Sequence, residues 1–190
     1  MTEPVAAHWW HLRRARASLG QGGVWAYPTE AVWGLGCEPF NETAVERILA
    51  LKQRPRHKGL ILVAGSMQQV RFLLHPLSES LCSTLDQYWP GPTTLLLPDP
   101  QRQTPEWIRG DHDRVAVRVS AHPLVRRLCL AHGGLLVSTS CNPAGASPAR
   151  WSWQVRRRFG GRLDGIFPGA TGGGARPTQI LDPLDGTRVR

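Results

Sequence analysis

A single α/β domain built on a mixed β-sheet is the architecture this sequence predicts, on three observations. Strand-like apolar runs alternate with helix-like periodic runs along the whole chain, the pattern of α/β folds. The strand runs, such as Leu60-Ile61-Leu62-Val63 and Leu135-Leu136-Val137, are continuously apolar, as expected for a sheet covered on both faces. The 190 residues are enough for one sizeable core without disulfide or metal staples.

The elements follow in order. Residues 5–19 are helix-permissive and stop at Gly20, Gly22 and Gly23. Val24-Trp25-Ala26-Tyr27 reads as a strand broken by Pro28. From Thr43 the pattern is helical: Thr43 and Glu46 fit a capping box, and Val45, Ile48, Leu49 and Lys52 share one face. After the strand at 60–63, residues 67–74 and 78–88 form two helices separated by Pro76, and Pro90-Gly91-Pro92 is a rigid turn. Residues 93–97 and 115–119 are strands joined by an irregular connection. Pro123 opens a helix to Leu130, at a position where proline is favoured. A strand at 135–138 runs into a polar loop, and residues 151–159 form the last helix. Short strands at 166–167 and 179–181 flank the glycine-rich stretch 169–174. Three polar clusters sit near strand ends, Thr29-Glu30, Arg118 and 138–142, and are expected to converge on one crevice.

Lys+Arg number 23 against 14 Asp+Glu, a net charge of +9 that favours an anionic partner: nucleotide, nucleic acid or acidic membrane. With 41% hydrophobic and 19% charged residues the chain is not of the disordered class. It lacks the run of about 18 apolar residues that a membrane-spanning helix needs. Trp9, Trp10 and Leu12 make too short an apolar core before Arg13 and Arg14 for a signal peptide, so a cytoplasmic location is expected. Cys37, Cys82, Cys129 and Cys141 have neither CxxC spacing nor nearby histidine pairs, which points to reduced, mostly buried thiols rather than a zinc site.

Only two positions carry lysine, Lys52 and Lys58, within Lys52-Gln53-Arg54-Pro55-Arg56-His57-Lys58-Gly59. Two readings fit this stretch: a solvated helix end that compensates the helix dipole, and a polyphosphate clamp presented from a turn stiffened by Pro55 and Gly59. Ser138-Thr139-Ser140-Cys141-Asn142 offers hydroxyls and an amide that can bind phosphate, carboxylate or ribose, or simply cap a turn. It has no GxSxG elbow and no histidine–carboxylate pair beside it, so these serines read as binders and not nucleophiles. The glycine-rich stretch lacks GK[ST] and is no P-loop; it is a flap over a ligand or a surface loop. Trp9-Trp10 and Trp151-Ser152-Trp153 are expected to pack on the core, and 156–158 to form a solvated arginine face open to RNA contact.

Five strings taken together carry a resemblance: Tyr27-Pro28-Thr29-Glu30-Ala31-Val32-Trp33-Gly34-Leu35-Gly36, Lys52-Gln53-Arg54-Pro55, Trp89-Pro90-Gly91-Pro92-Thr93-Thr94, Val115-Ala116-Val117-Arg118 with His122-Pro123, and Ser138-Thr139-Ser140-Cys141-Asn142. In this order and spacing the chain, over about residues 20–182, resembles the YrdC/TsaC family of threonylcarbamoyl-AMP synthases, of the short bacterial type. The resemblance implies a twisted mixed sheet wrapped by helices with a basic concave cleft, over one domain spanning residues 1–190. It implies a nucleotidyltransferase that makes threonylcarbamoyl-adenylate and pyrophosphate from L-threonine, bicarbonate or CO2, and ATP. A partner transferase would then modify the adenosine next to the anticodon of tRNA.

Residue by residue, the resemblance places Lys52, Arg54, Ser140 and Asn142 around the triphosphate as a catalytic tetrad, with Lys58 and Arg190 as further ATP contacts. It places Thr29, Arg118, Ser138 and Thr178 around threonine, Arg118 being the natural partner of the carboxylate. Mg2+ is expected to be held mainly by the phosphates, with no protein metal cage. Two departures are visible: Cys141 stands where the family more often has alanine, and Gly59 where many members have proline. The chain is also expected to lack the extra C-terminal domain of longer members. The alternatives are an RNA-binding or ribosome-maturation factor without this catalysis, and a carbamoyl-transfer relative with another acceptor.

Overall fold

The computed structural model describes residues 5–174 and 178–189, with the side chains of residues 5–8 left out. Helix α1 (Val5–Gly20) leads into strands β1 (Trp25–Pro28) and β2 (Trp33–Gly36), then α2 (Glu42–Lys52) and β3 (Ile61–Ala64). Helices α3 (Met67–Leu74) and α4 (Glu79–Leu85) precede β4 (Thr94–Pro98), the short α5 (Glu106–Arg109), β5 (Arg114–Val119) and α6 (Pro123–His132). Strand β6 (Leu136–Ser140), α7 (Ser152–Phe159), β7 (Gly165–Ile166) and β8 (Ile180–Leu181) complete the order.

The eight strands form one mixed sheet in the order β7-β1-β2-β6-β3-β5-β4-β8. The pairs β1–β7, β3–β5 and β4–β8 are parallel and the others antiparallel. Side chains alternate between faces along a strand, and the two core clusters follow that alternation. Leu62, Ala64, Val115, Val117, Val119 and Val137 join the larger cluster with residues of α2, α3, α4, α5 and α7. Val63 and Leu136 point the other way, into a smaller cluster with Ala15 and Leu19 of α1 and Val125, Leu128 and Cys129 of α6. One sheet face is thus helix-covered throughout, whereas α1 and α6 cover the other only in part. Beyond Val63 and Leu136 that second face carries Ile61, Ala116, Leu96 and Ser138, outside both clusters and aligned by the pairings Ile61↔Ala116, Leu96↔Ala116 and Ile61↔Ser138.

Several local expectations are corrected. Helix α2 is capped by Asn41, whose side chain accepts from the Ala44 N–H, and not by Thr43. Its expected buried face of Val45, Ile48, Leu49 and Lys52 is found. Residues 33–36 form a strand despite two glycines. A Cβ at Gly36 would sit 2.4 Å from the Val137 carbonyl oxygen, so close passage of β2 past β6 requires glycine there. The strand extends two residues past Ser138: Thr139 and Ser140 lie inside β6, not in a loop, because β2 pairs with them. The four tryptophans expected to pack on the core, Trp9, Trp10, Trp151 and Trp153, are all more than half exposed. Helix α7 anchors through Val155 and Phe159 instead. The four thiols are free, with Cys37, Cys129 and Cys141 buried.

Candidate functional site

The uncovered part of the sheet forms the floor of a cleft of about 850 Å3. Ile61, Leu96, Ala116 and Ile180 supply an apolar base. Lys52, Arg54 and Lys58 line one wall, Ser140 and Asn142 the next, and the acidic and basic residues 111–114 another.

Lys52 and Arg54 are held by main-chain carbonyls. Lys52 ends α2 and is only 5% exposed. Its ammonium donates to the carbonyls of Ser140 and Asn142, the latter at 2.8 Å. The return tie is the Ala144 N–H, which donates to the Lys52 carbonyl at 2.8 Å. Lys52 therefore braces α2 against the end of β6, a task suited to a compact rotatable donor. Gln53 takes the left-handed conformation (φ 52°) that ends the helix. Arg54 then folds back, donating from Nε and Nη2 to the Gly59 carbonyl at 3.1 and 2.9 Å and from Nη2 to that of Lys58 at 3.1 Å.

Gly59 has φ +58°, and a Cβ there would lie 2.6 Å from the Arg109 carbonyl oxygen. Glycine is what lets this turn dock, with the Leu60 N–H donating to the Ile108 carbonyl and the Asp111 N–H to that of His57. The docking platform is rigid in turn. Buried Asp99 accepts from Gln103 N–H, Thr104 N–H and Thr104 Oγ1 and lies 3.8 Å from Arg109 Nε. Asn142 Nδ2 donates to the carbonyls of Pro143 and Ala146, leaving its Oδ1 buried with no hydrogen-bond partner among the described residues.

A smaller cavity of about 40 Å3 adjoins the cleft. Thr29, Arg118, Ser138 and Thr178 line it, and Ile61, Thr139 and Ser140 belong to both cavities. Thr29 Oγ1 donates to the Val32 carbonyl at 2.8 Å, within the turn after β1. Arg118 is 4% exposed and is the penultimate residue of β5, on the partly covered face, its neighbour on β3 being Val63. Thr29 just past β1, Arg118 near the end of β5 and Ser138–Ser140 at the end of β6 thus meet in one crevice, as the polar clusters suggested, and it opens over the sheet face. The glycine-rich stretch is tied to the turn after β1: its Gly172 and Gly174 N–H groups donate to the Thr29 and Glu30 carbonyls at 2.9 and 3.0 Å.

The titration behaviour fits binding and not nucleophilic chemistry. Burial pushes the Cys141 thiol up to about 12, despite the opposing influence of Lys52, so it stays protonated between Ser140 and Asn142. Burial also pushes Tyr27 up and His122 down, the latter partly offset by Glu30.

All the sequence-predicted residues except Arg190 fall in these two cavities: Lys52, Arg54, Lys58, Ser140 and Asn142 in the cleft, and Thr29, Arg118, Ser138 and Thr178 beside it. Arg190 lies outside the described residues, though its neighbour Val189 reaches the cleft. The sequence reading placed Glu30 and Thr139 in the converging polar clusters but gave neither a role of its own, and the apolar base is missing from it. Alternation on the strands could have flagged the base; Glu30 had only its place after a strand.

Residues 17–189 match the model of the Sua5/YciO/YrdC family, described as "Telomere recombination". The chain belongs to this family. Among relatives, threonylcarbamoyl-AMP synthase from Marinobacter nauticus is 57% identical over all 190 residues of both chains. That of Halorhodospira halophila is 50% identical over 98% of this chain and 97% of its own. Among solved structures, Sua5 of P. abyssi complexed with L-threonine superposes with a TM-score of 0.85 at 30% identity, covering 94% of this chain. This chain spans about half (52%) of that longer protein. E. coli YciO, at 23% identity and a TM-score of 0.81 over 95% of this chain and 87% of its own, shares the fold.

Proposed function

We infer that this member of the Sua5/YciO/YrdC family is a threonylcarbamoyl-AMP synthase, a nucleotidyltransferase that joins L-threonine, bicarbonate and ATP into threonylcarbamoyl-adenylate. The observation that carries the reading is the pair of adjoining cavities with a common wall of Ile61, Thr139 and Ser140. It stands on a chain 57% identical end to end to a relative of that name.

Two bonds must form. Bicarbonate, taking up a proton and losing water, supplies CO2, to which the threonine amine adds with loss of a proton, giving a carbamate. A carbamate oxygen then attacks the α-phosphorus, and pyrophosphate leaves. Such transfers depend on positioning and charge stabilisation more than on a covalent nucleophile. We assign the cleft to ATP. Lys52, Arg54 and Lys58 place positive charge along one wall, while Ser140 Oγ and the loop held by Lys52 and Asn142 offer donors to the phosphates. Arg190 remains a candidate ATP contact at the end of the chain. The smaller cavity is assigned to threonine, with Arg118 meeting the carboxylate and Thr29, Ser138 and Thr178 supplying hydroxyls. P. abyssi Sua5, a structural relative, has been solved with L-threonine, which supports this assignment.

A magnesium ion would neutralise phosphate charge. Among the described residues no group of three His, Cys, Asp or Glu is arranged to hold a metal. The donors facing the cleft suit an anion, so the ion fits as one carried by the nucleotide. The finer reading sends the product to a partner transferase acting on tRNA in the cytoplasm. No helix among the described residues is long and apolar enough to cross a membrane.

The test is pyrophosphate release from ATP with bicarbonate and Mg2+, with and without L-threonine. Threonine-dependent release is expected. Its absence, with RNA binding unaffected by Lys52→Ala, would favour the RNA-binding alternative.

A further inference from the structure

We propose that Glu30 is a positioning residue for threonine, acting through Arg118. Glu30 is largely enclosed, its side chain 15% exposed beside an Arg118 side chain that is 5% exposed. One carboxylate oxygen, Oε1, accepts from Ser120 Oγ at 2.5 Å. The other, Oε2, is buried with no hydrogen-bond partner among the described residues and lies 3.7 Å from Arg118 Nη2. That distance is ion-pair attraction and not a hydrogen bond. A buried anionic oxygen left unbonded is costly unless its charge is used. Arg118 is the cation it faces.

The guanidinium is held on two sides. Nη1 donates to Thr178 Oγ1 at 2.7 Å and lies 3.5 Å from Thr94 Oγ1, while Glu30 draws Nη2. Nε has no partner among the described residues. Fixing both Nη groups sets the plane and rotation of the guanidinium, and so sets where its remaining donors meet a carboxylate. Without Glu30 only neutral hydroxyls would hold it. The same short segment also holds the glycine-rich stretch, because the Thr29 and Glu30 carbonyls accept from Gly172 and Gly174. A Cβ at either glycine would lie 3.0 Å from the Glu30 carbonyl oxygen, a tight contact that glycine relieves.

This assignment rests on Arg118 being the partner of the threonine carboxylate, and the test separates the two. Threonine-dependent pyrophosphate release is measured on the full chain for Glu30→Gln, which keeps the size and an acceptor for Ser120 but removes the charge. The threonine KM is expected to rise about tenfold, with the ATP KM unchanged. Glu30→Asp, with its charge on a shorter arm, recovers part of the loss. In an Arg118→Ala background, where the threonine KM is already raised, Glu30→Gln adds nothing further.

An unchanged threonine KM in Glu30→Gln, with a raised one in Arg118→Ala, overturns the role of Glu30 and leaves Arg118 standing. An unchanged value in Arg118→Ala removes the carboxylate reading, and the proposal with it. A parallel rise in the ATP KM, or a full effect of Glu30→Gln without Arg118, makes Glu30 merely structural and also overturns it. Should Glu30→Gln not fold, Ser120→Ala frees Oε1 with the charge intact. A smaller, threonine-selective rise then supports the proposal, and no rise refutes it.

Discussion

The two cavities are built differently. Much of the wall of the large cleft is turn and loop: Arg54, Asn142 and residues 111–113 lie outside helices and strands, with Arg54, Asn142 and Asp111 tied to carbonyls of neighbouring segments, and Lys58 ends a short 3-10 turn. In the small cavity Arg118 and Ser138 project from paired strands, and register fixes them. Loops that wrap a long flexible anion can supply many contacts of modest individual value. Strand-borne groups enclosing a small zwitterion supply few contacts, each placed by the sheet. Loss of a loop contact should therefore act mainly through ATP, and loss of a strand contact mainly through threonine.

The sharpest attempt to break that contrast is Lys52→Ala, since Lys52 serves both sides by bracing β6. Its loss removes a cation from the cleft and takes the ammonium donor from the Ser140 and Asn142 carbonyls, leaving Ser140 only the Asn142 N–H among the described residues. Pyrophosphate release should fall at least about a hundredfold, and the melting temperature should drop as well. Next is Arg118→Ala, for which steady-state kinetics should show the threonine KM rising roughly thirty- to a hundredfold with the ATP KM unmoved. If both constants rise together, the division between the cavities is wrong.

Gly59→Ala tests the loop side by itself. Its positive φ and the nearby Arg109 carbonyl predict a loss of about 1–3 kcal/mol in denaturant unfolding. The ATP KM should rise more than that for threonine. The smallest effects belong to exposed residues that touch neither the cavities nor the groups holding them. Trp151→Ala should change stability by no more than about 0.5 kcal/mol and leave activity intact. A larger loss of either would give that exposed indole a contact the fold does not provide.

What was legible in the sequence follows the same division. Apolar periodicity displayed the buried face of α2, and an unusual pair of lysines beside Pro55 marked the cleft wall. β2 was illegible because Trp33-Gly34-Leu35-Gly36 has poor strand propensity; its glycines are there for contact with Tyr27 and β6, which only the pairing shows. Thr139 and Ser140 looked like a loop for a related reason: two more hydroxyls after Ser138 read as the end of a strand, and only the pairing with β2, and for Ser140 a sheet face left without a covering helix, keeps them in it. The tryptophans misled because an aromatic side chain carries no record of which way its helix turns. Glu30 was hidden because its work depends on a partner far along the chain, Arg118.

The wall of Ile61, Thr139 and Ser140 has one more consequence. On the proposed assignment ATP and threonine each take one chamber, and the adenylate that unites them would span both. It is bivalent by construction: whichever end lets go is kept at high local concentration by the other. The finished intermediate should therefore be retained more firmly than either starting material, making its departure a slow step of the cycle. For a labile mixed anhydride, that retention is a form of protection.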